Sequence, residues 1–319
     1  MKLIHTIALA ALAVALGVVA TCAHAEDAIR FGKAFPTLFQ FTPVDLGIEK
    51  GFFKKRGLEV EIQNFFGDAK QQQAYTAGAV DMGIGGGAGM GFIAKGSPIL
   101  AVAEAAGPPL GITLSVWADT PYKTVADLKG QTVTGASVGD QTEWMVRQLS
   151  ILQGWGPTGF NYVPLGASEA QIAALKTHQI AAAPLDITTA VSLETQGQAR
   201  IVVRFGKVIQ NYINHVISAT NGIMEKHPDD VRNFLAGWFE SVAYLKAHKE
   251  ESVALAARIL KQPEAIVSRV YDESSPMLTD NGHFDQKGLA TIRDSLVEMK
   301  ILETKPDMAK LTTEKFLPN

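Results

Sequence analysis

From residue 28 onward, short runs of alternating apolar and polar residues take turns with stretches of helical periodicity. Residues 28–33 put Ile29 and Phe31 on one face, which predicts a strand. Thr42-Pro43 supplies an N-cap and a first-turn proline for a helix running through Val44, Leu46 and Ile48 to Gly51. A strand over 58–65 follows, then a helix from Asp68 to Gly78 and a buried strand over 80–84. A glycine-rich turn and a short helix lead to a strand over 99–103. Four strands with helices between them predict a parallel sheet with right-handed crossovers.

The extended run 111–117 breaks this rhythm, and the alternation then restarts. A short helix at 124–128 precedes strands at 132–135, 160–164, 179–183 and 199–203, with helices 140–153, 168–177 and 187–196 among them. A second extended run, 212–220, is followed by helices alone. His227-Pro228 opens one whose Val231, Phe234, Leu235, Trp238, Val242 and Leu245 form a single stripe. Further helices are expected over 250–261, 263–271 and 286–300. These last helices have no strands of their own, so their apolar faces are expected to cover the first sheet. The chain would then cross twice between two lobes, one made of 26–112 and 218–319 and the other of 113–217.

The N-terminus changes the picture of where such a chain works. Lys2 and His5 precede an apolar run, 7–20, that ends at the small-x-small sequence Ala23-His24-Ala25. Residues 1–25 therefore read as a secretory signal peptide, too short to span a bilayer. Cys22, the only cysteine, has a second reading as a lipid-attachment site, although Val19-Ala20-Thr21 before it matches such sites poorly. Either way no thiol chemistry is left to the folded chain. With 29 Lys+Arg against 32 Asp+Glu and no basic cluster longer than Lys54-Lys55-Arg56, nucleic-acid binding is excluded. There is no G-x-S-x-G or H-E-x-x-H and the seven histidines are scattered, so neither a catalytic triad, a metal nor a cofactor is expected.

Ordered blocks carry a family resemblance. They are Leu46-Gly47-Ile48-Glu49-Lys50-Gly51-Phe52-Phe53, Gly57-Leu58-Glu59-Val60-Glu61 and Ala77-Gly78-Ala79-Val80-Asp81-Met82-Gly83, then Lys95-Gly96-Ser97-Pro98-Ile99, the run Thr124 to Val133, and Lys226-His227-Pro228-Asp229-Asp230-Val231. Together they resemble the periplasmic solute-binding proteins of ABC importers, in the nitrate/sulfonate/taurine and thiamine-precursor branch. The resemblance implies an α/β, two-lobed periplasmic binding protein fold of type II-like layout with two interlobe crossovers. It also implies a monomer that closes over a small organic solute and docks on a membrane permease with its ATPase. The stretch His178 to Asp186 departs from the family's wording, so the specificity residues of the sulfonate and nitrate proteins do not carry across there.

In open α/β sheets ligands sit at the carboxyl ends of strands, which selects the candidate site residues. Phe35, Phe39 and Phe41 would form a stacking wall with Gln40 as hydrogen-bonding partner, or else pack the rim. Gly67 and Asp68 open a helix whose N–H groups suit an anion, with Asp68 itself expected as the cap. The turn Gly83 to Ala88 matches G-x-G-x-x-A, and Glu104 follows Gly83 at dinucleotide-site spacing. Its short helix and third place in the sheet favour instead a backbone-exposed turn, with Gly85, Gly86 and Ala88 approached by a small ligand. In the second lobe Ser137, Val138, Gly139 and Thr142 would touch the ligand, with Asp140 as helix cap. Asp186 either caps a helix or faces the cleft, where it would repel a plain anion. His215 is read as a contact or a structural histidine, and Trp144, Trp155 and Trp238 as core. The expected ligand has a polar or anionic end and an apolar or planar body. An exported enzyme using Glu143 and His215, or a ligand-sensing adaptor, are the rival readings.

Overall fold

The computed structural model describes residues 28–65, 67–136, 138 and 140–318. The leader read over 1–25 and its Cys22 lie outside the described residues, as do Ser137 and Gly139. Ten strands run through the rest: β1 (Ile29–Lys33), β2 (Val60–Asn64), β3 (Met82–Gly86), β4 (Ile99–Ala106), β5 (Ile112–Trp117), β6 (Thr132–Gly135), β7 (Asn161–Pro164), β8 (Ala183–Asp186), β9 (Ala199–Arg204) and β10 (His215–Thr220). The first sheet has the order β2-β1-β3-β10-β4. β1 pairs in parallel with β2 and β3, whereas β10 runs antiparallel to both β3 and β4.

The alternation in β1 drives Phe31 under the helix Pro228–Ala247, where it stacks on Phe234 at 4.8 Å and meets Trp238 at 6.2 Å. The whole predicted stripe of that helix, from Val231 to Leu245, is buried. Burying each such side chain removes about 2 kcal/mol worth of apolar surface from water. The terminal helices Lys249–Leu260 and Glu264–Ser274 share this core with β1, β3 and β10.

The second half builds an antiparallel ladder β8-β5-β9 and a parallel pair β6-β7. A parallel bridge from Val133 to Ala182 joins the two. Both runs read as plain crossovers are strands. β5 is the centre of its ladder, and β10 is inserted between β3 and β4 because Val216, Ile217 and Ala219 are buried on both of its sides. The strand expected over 179–183 begins instead at Ala183 and includes Pro184. β8 has β5 on one side only in its ladder, so the missing proline N–H is not called upon.

Candidate functional site

β1, β2 and β3 run in parallel, so their carboxyl ends lie side by side at one edge of the first sheet. Gly67 is the N-cap of the helix Asp68–Thr76, at φ 111°, a conformation open to glycine. That placement moves Asp68 one residue into the helix and corrects its expected role as cap. Its Oδ1 instead accepts a hydrogen bond of 2.9 Å from the Gly86 N–H, at the end of β3. A Cβ at Gly85 or Gly86 would fall 2.6 or 2.9 Å from the Asp68 carboxylate oxygens, so those glycines are what let the carboxylate lie on the strand end. Gln71, one helical turn on, donates to the Gly32 carbonyl at 2.8 Å. Tyr75 completes the crevice formed by Asp68, Gln71, Gly85 and Gly86, and its buried hydroxyl has no hydrogen-bond partner among the described residues.

The segment before β10 closes the other side. Asn214 hydrogen-bonds through its backbone to Ala106 and Gly87. Its side-chain oxygen accepts from Gln141 Nε2 at 2.5 Å, and its amide nitrogen reaches His215 Nε2 at 2.9 Å. Gln40 Nε2 reaches the same His215 nitrogen at 3.0 Å. With two amide donors on Nε2, the ring hydrogen sits on Nδ1 and the imidazole is neutral. Burial pushes its pKa down to about 3. A line of amides therefore runs Gln40–His215–Asn214–Gln141, from the first sheet to the helix Gln141–Leu152 of the second half. Tyr212 stacks on Trp144 of that helix at 4.9 Å. Among the described residues the buried Tyr212 hydroxyl has no hydrogen-bond partner, and burial, with the charges of Asp68 and Asp140 adding to it, pushes its pKa up. Trp144 is buried in the core as expected, and it also bridges the halves: its indole N–H donates to Glu298 at 2.8 Å.

The structure thus gathers Gln40, Gly85, Gly86, Asp68 and His215 of the predicted set, and adds Tyr75, Gln141, Tyr212 and Asn214. Phe39 does not join them. It is fully buried, edge-on to Tyr271 at 5.9 Å, because its 3-10 turn points it into the core beneath β1. Phe35 keeps 36% of its surface exposed, and Phe41 packs edge-on against His215. Ala88 is half-buried in the turn after β3, and Val138 is 72% exposed. Thr142 donates to Asp140, which caps its helix through the Glu143 N–H. Asp186 caps the helix Ile187–Thr195 by accepting from the Thr189 N–H at 3.0 Å, and burial raises its carboxyl.

Two chemical readings lose their geometry here. Gly86 N–H, which a pyrophosphate would need, already serves the Asp68 carboxylate, and Glu104 is buried against the Asp285 N–H instead of facing the turn. Glu143 is paired with Arg147 at 2.5 Å, while His215 is held neutral by amides, so they do not form an acid/base couple. Among the described residues no group of three metal-ligating side chains occurs, and no helix is long and apolar enough to cross a membrane.

Comparison with known proteins places this geometry in context. The family model described as NMT1/THI5 like matches residues 38–252. A Brucella abortus chain named as a binding protein is 24% identical over 219 residues, covering 68% of this chain and 67% of its own. The periplasmic aliphatic sulphonate binding protein SsuA from Escherichia coli superimposes with a TM-score of 0.76 at 20% identity, covering 89% of this chain and 91% of that one. The periplasmic nitrate-binding protein NrtA from Synechocystis PCC 6803 gives 0.68 at 16% identity, covering 91% and 86%. The fold is that of the periplasmic binding proteins.

Proposed function

The chain belongs to the NMT1/THI5-like family, and from that membership we propose that it is the periplasmic solute-binding component of an ABC importer. Its two lobes, 26–112 with 218–319 and 113–217, close over a small organic solute and present the closed form to a permease and its ATPase. One observation carries the reading most directly: side chains from both halves converge on the strand ends of the first sheet, and several are buried polar groups without partners among the described residues. Gln40 Oε1, Tyr75 OH and Tyr212 OH are hydrogen-bonding capacity that the protein does not satisfy for itself.

The flanks of the cleft support closure as the working motion. On one side Trp144 and Gln148 hold Glu298. On the other, Arg204 and Arg269 bind Glu273, and Arg269 also binds Glu194 on the helix Ile187–Thr195. These contacts between the halves are non-covalent, so ligand contacts worth a few kcal/mol are enough to shift the open–closed population. No bond is made or broken in this cycle, and the protein needs no catalytic residue.

The reading is tested with protein stripped of solute by unfolding and refolding, then screened by thermal shift against sulfonates, nitrate, bicarbonate, pyrimidines, aromatic acids and amines. A solute at 100 times its Kd stabilises by about 2.7 kcal/mol and raises the midpoint by several degrees. Small-angle scattering should show the particle contract with the same solute. Stabilisation without contraction would point away from a closing transport protein.

A further inference from the structure

We propose that the solute presents a protonated nitrogen, an amine or amidine, to Asp68 in the crevice between the helix Asp68–Thr76 and the end of β3. The inference rests on the solute-binding reading and names the chemistry of that same site. Among the described residues Asp68 receives a single hydrogen bond, from Gly86, although a carboxylate has capacity for about four. Tyr75 lines the same crevice and Tyr212 lies on the segment before β10; each is nine-tenths or more buried, and among the described residues neither hydroxyl has a hydrogen-bond partner. Both feel the Asp68 charge. Phenol oxygens accept as well as donate, so the crevice offers an ammonium both a carboxylate and, from Tyr75, a neutral acceptor.

The charge balance excludes the opposite ligand. Among the described residues Lys33 is the only buried lysine or arginine, and its Nζ is 2.5 Å from Asp45. Lys70, two positions along the helix from Asp68, is exposed and on a different helical face. Arg147 is paired with Glu143. An anion entering this crevice would meet the Asp68 carboxylate without a buried cation to offset it. Burial accordingly pushes the Asp68 carboxyl above its ordinary range, with only the Gly86 N–H opposing. A group in that condition is completed by a cation, which repays the desolvation already incurred.

The test compares the wild-type protein with Asp68→Asn, which keeps the shape and an oxygen for the Gly86 N–H. The probes are ethanolamine, putrescine and benzamidine against ethanesulfonate and nitrate, read by thermal shift and calorimetry. At least one of the three cations is expected to bind the wild type, with affinity reduced about 100-fold in D68N, as for a buried charge pair with one partner removed. Binding of ethanesulfonate or nitrate that survives or strengthens in D68N would overturn the inference while leaving solute binding intact. If all five probes are silent on folded protein, solute binding itself loses support and the inference falls with it. Without ligand, D68N is expected to unfold a few degrees higher than the wild type at pH 8. A lower midpoint would make Asp68 a structural group and sink the proposal independently of the probes.

Discussion

Gly87→Ala is expected to lower the unfolding midpoint by several degrees, roughly 3 kcal/mol at the upper end for overpacking, and to abolish solute binding. Gly87 follows β3 in a tight 3-10 turn and donates its N–H to the Asn214 carbonyl at 3.0 Å. A Cβ there would lie 2.0 Å from the Ile213 carbonyl oxygen and 3.1 Å from a methyl of Ile292. The obstruction is backbone, so no rotamer change relieves it. The segment 212–214 must move away from β3. That segment carries Tyr212 and Asn214, and through them the stacking on Trp144 and the hydrogen bond from Gln141. Stability and the geometry of the cleft are therefore lost together. Gly89→Ala is the matched control two residues on. Nothing lies nearer than 4.0 Å to its added methyl, its φ is −59°, and it precedes the helix Met90–Ala94. It should be neutral or stabilising by about 0.5 kcal/mol through lower unfolded-state entropy. Differential scanning calorimetry of the two variants separates the local clash from a general intolerance of the turn. Equal midpoints would show that the 212–214 segment yields at little cost.

Why the sequence announced some of this and not the rest follows from what local patterning can encode. The β1 alternation and the stripe of the helix Pro228–Ala247 were legible because each element buries one face and exposes another. β10 was not legible as a sheet member, because a strand buried on both faces carries no alternation, and its place between β3 and β4 is decided by residues more than a hundred positions away. Asp68 was singled out by its place after β2, and its role as helix cap was misread. The positive φ of Gly67 moves the cap by one residue, and that single step turns the carboxylate from its own helix onto Gly86. Gln141, Asn214, Tyr75 and Tyr212 carried little signal, since amides and phenols at helix starts or in loops read as ordinary surface or core. The one available hint was Tyr212, Asn214 and His215, three hydrogen-bonding side chains within an otherwise apolar run. A buried strand that accepts such residues has a polar network to satisfy them.

The same network sets the second large effect, on the pH dependence of stability. His215, near pKa 3 when folded, binds fewer protons than its unfolded form between about pH 3 and 6.5, so its contribution is full above that window and is lost as pH falls. Over the whole window this amounts to roughly 4 to 5 kcal/mol at 1.36 kcal/mol per unit. Glu104 acts with the opposite sign. Burial on β4, reinforced by the neighbouring Asp285, raises it to about 7, against the donated Asp285 N–H. The folded state then holds the proton longer, and stability falls by about 3 kcal/mol as pH rises from 4.5 to 7. Between about pH 4.5 and 6.5 the two slopes oppose, so the His215 and Glu104 contributions largely offset each other in the wild type. Glu104→Gln keeps an acceptor for Asp285 and should unmask a stability that climbs steadily up to pH 6.5. His215→Gln keeps an acceptor for Gln40 and Asn214 and should unmask the reverse, a decline across the same range. Asp45, Asp68 and Asp186, all raised by burial, add to the Glu104 slope in every variant, so they cancel in the comparison. Guanidinium unfolding at half-unit steps of pH reads both slopes directly. If the two variants keep the wild-type profile, His215 and Glu104 do not hold the protonation states that their burial and hydrogen bonds assign them.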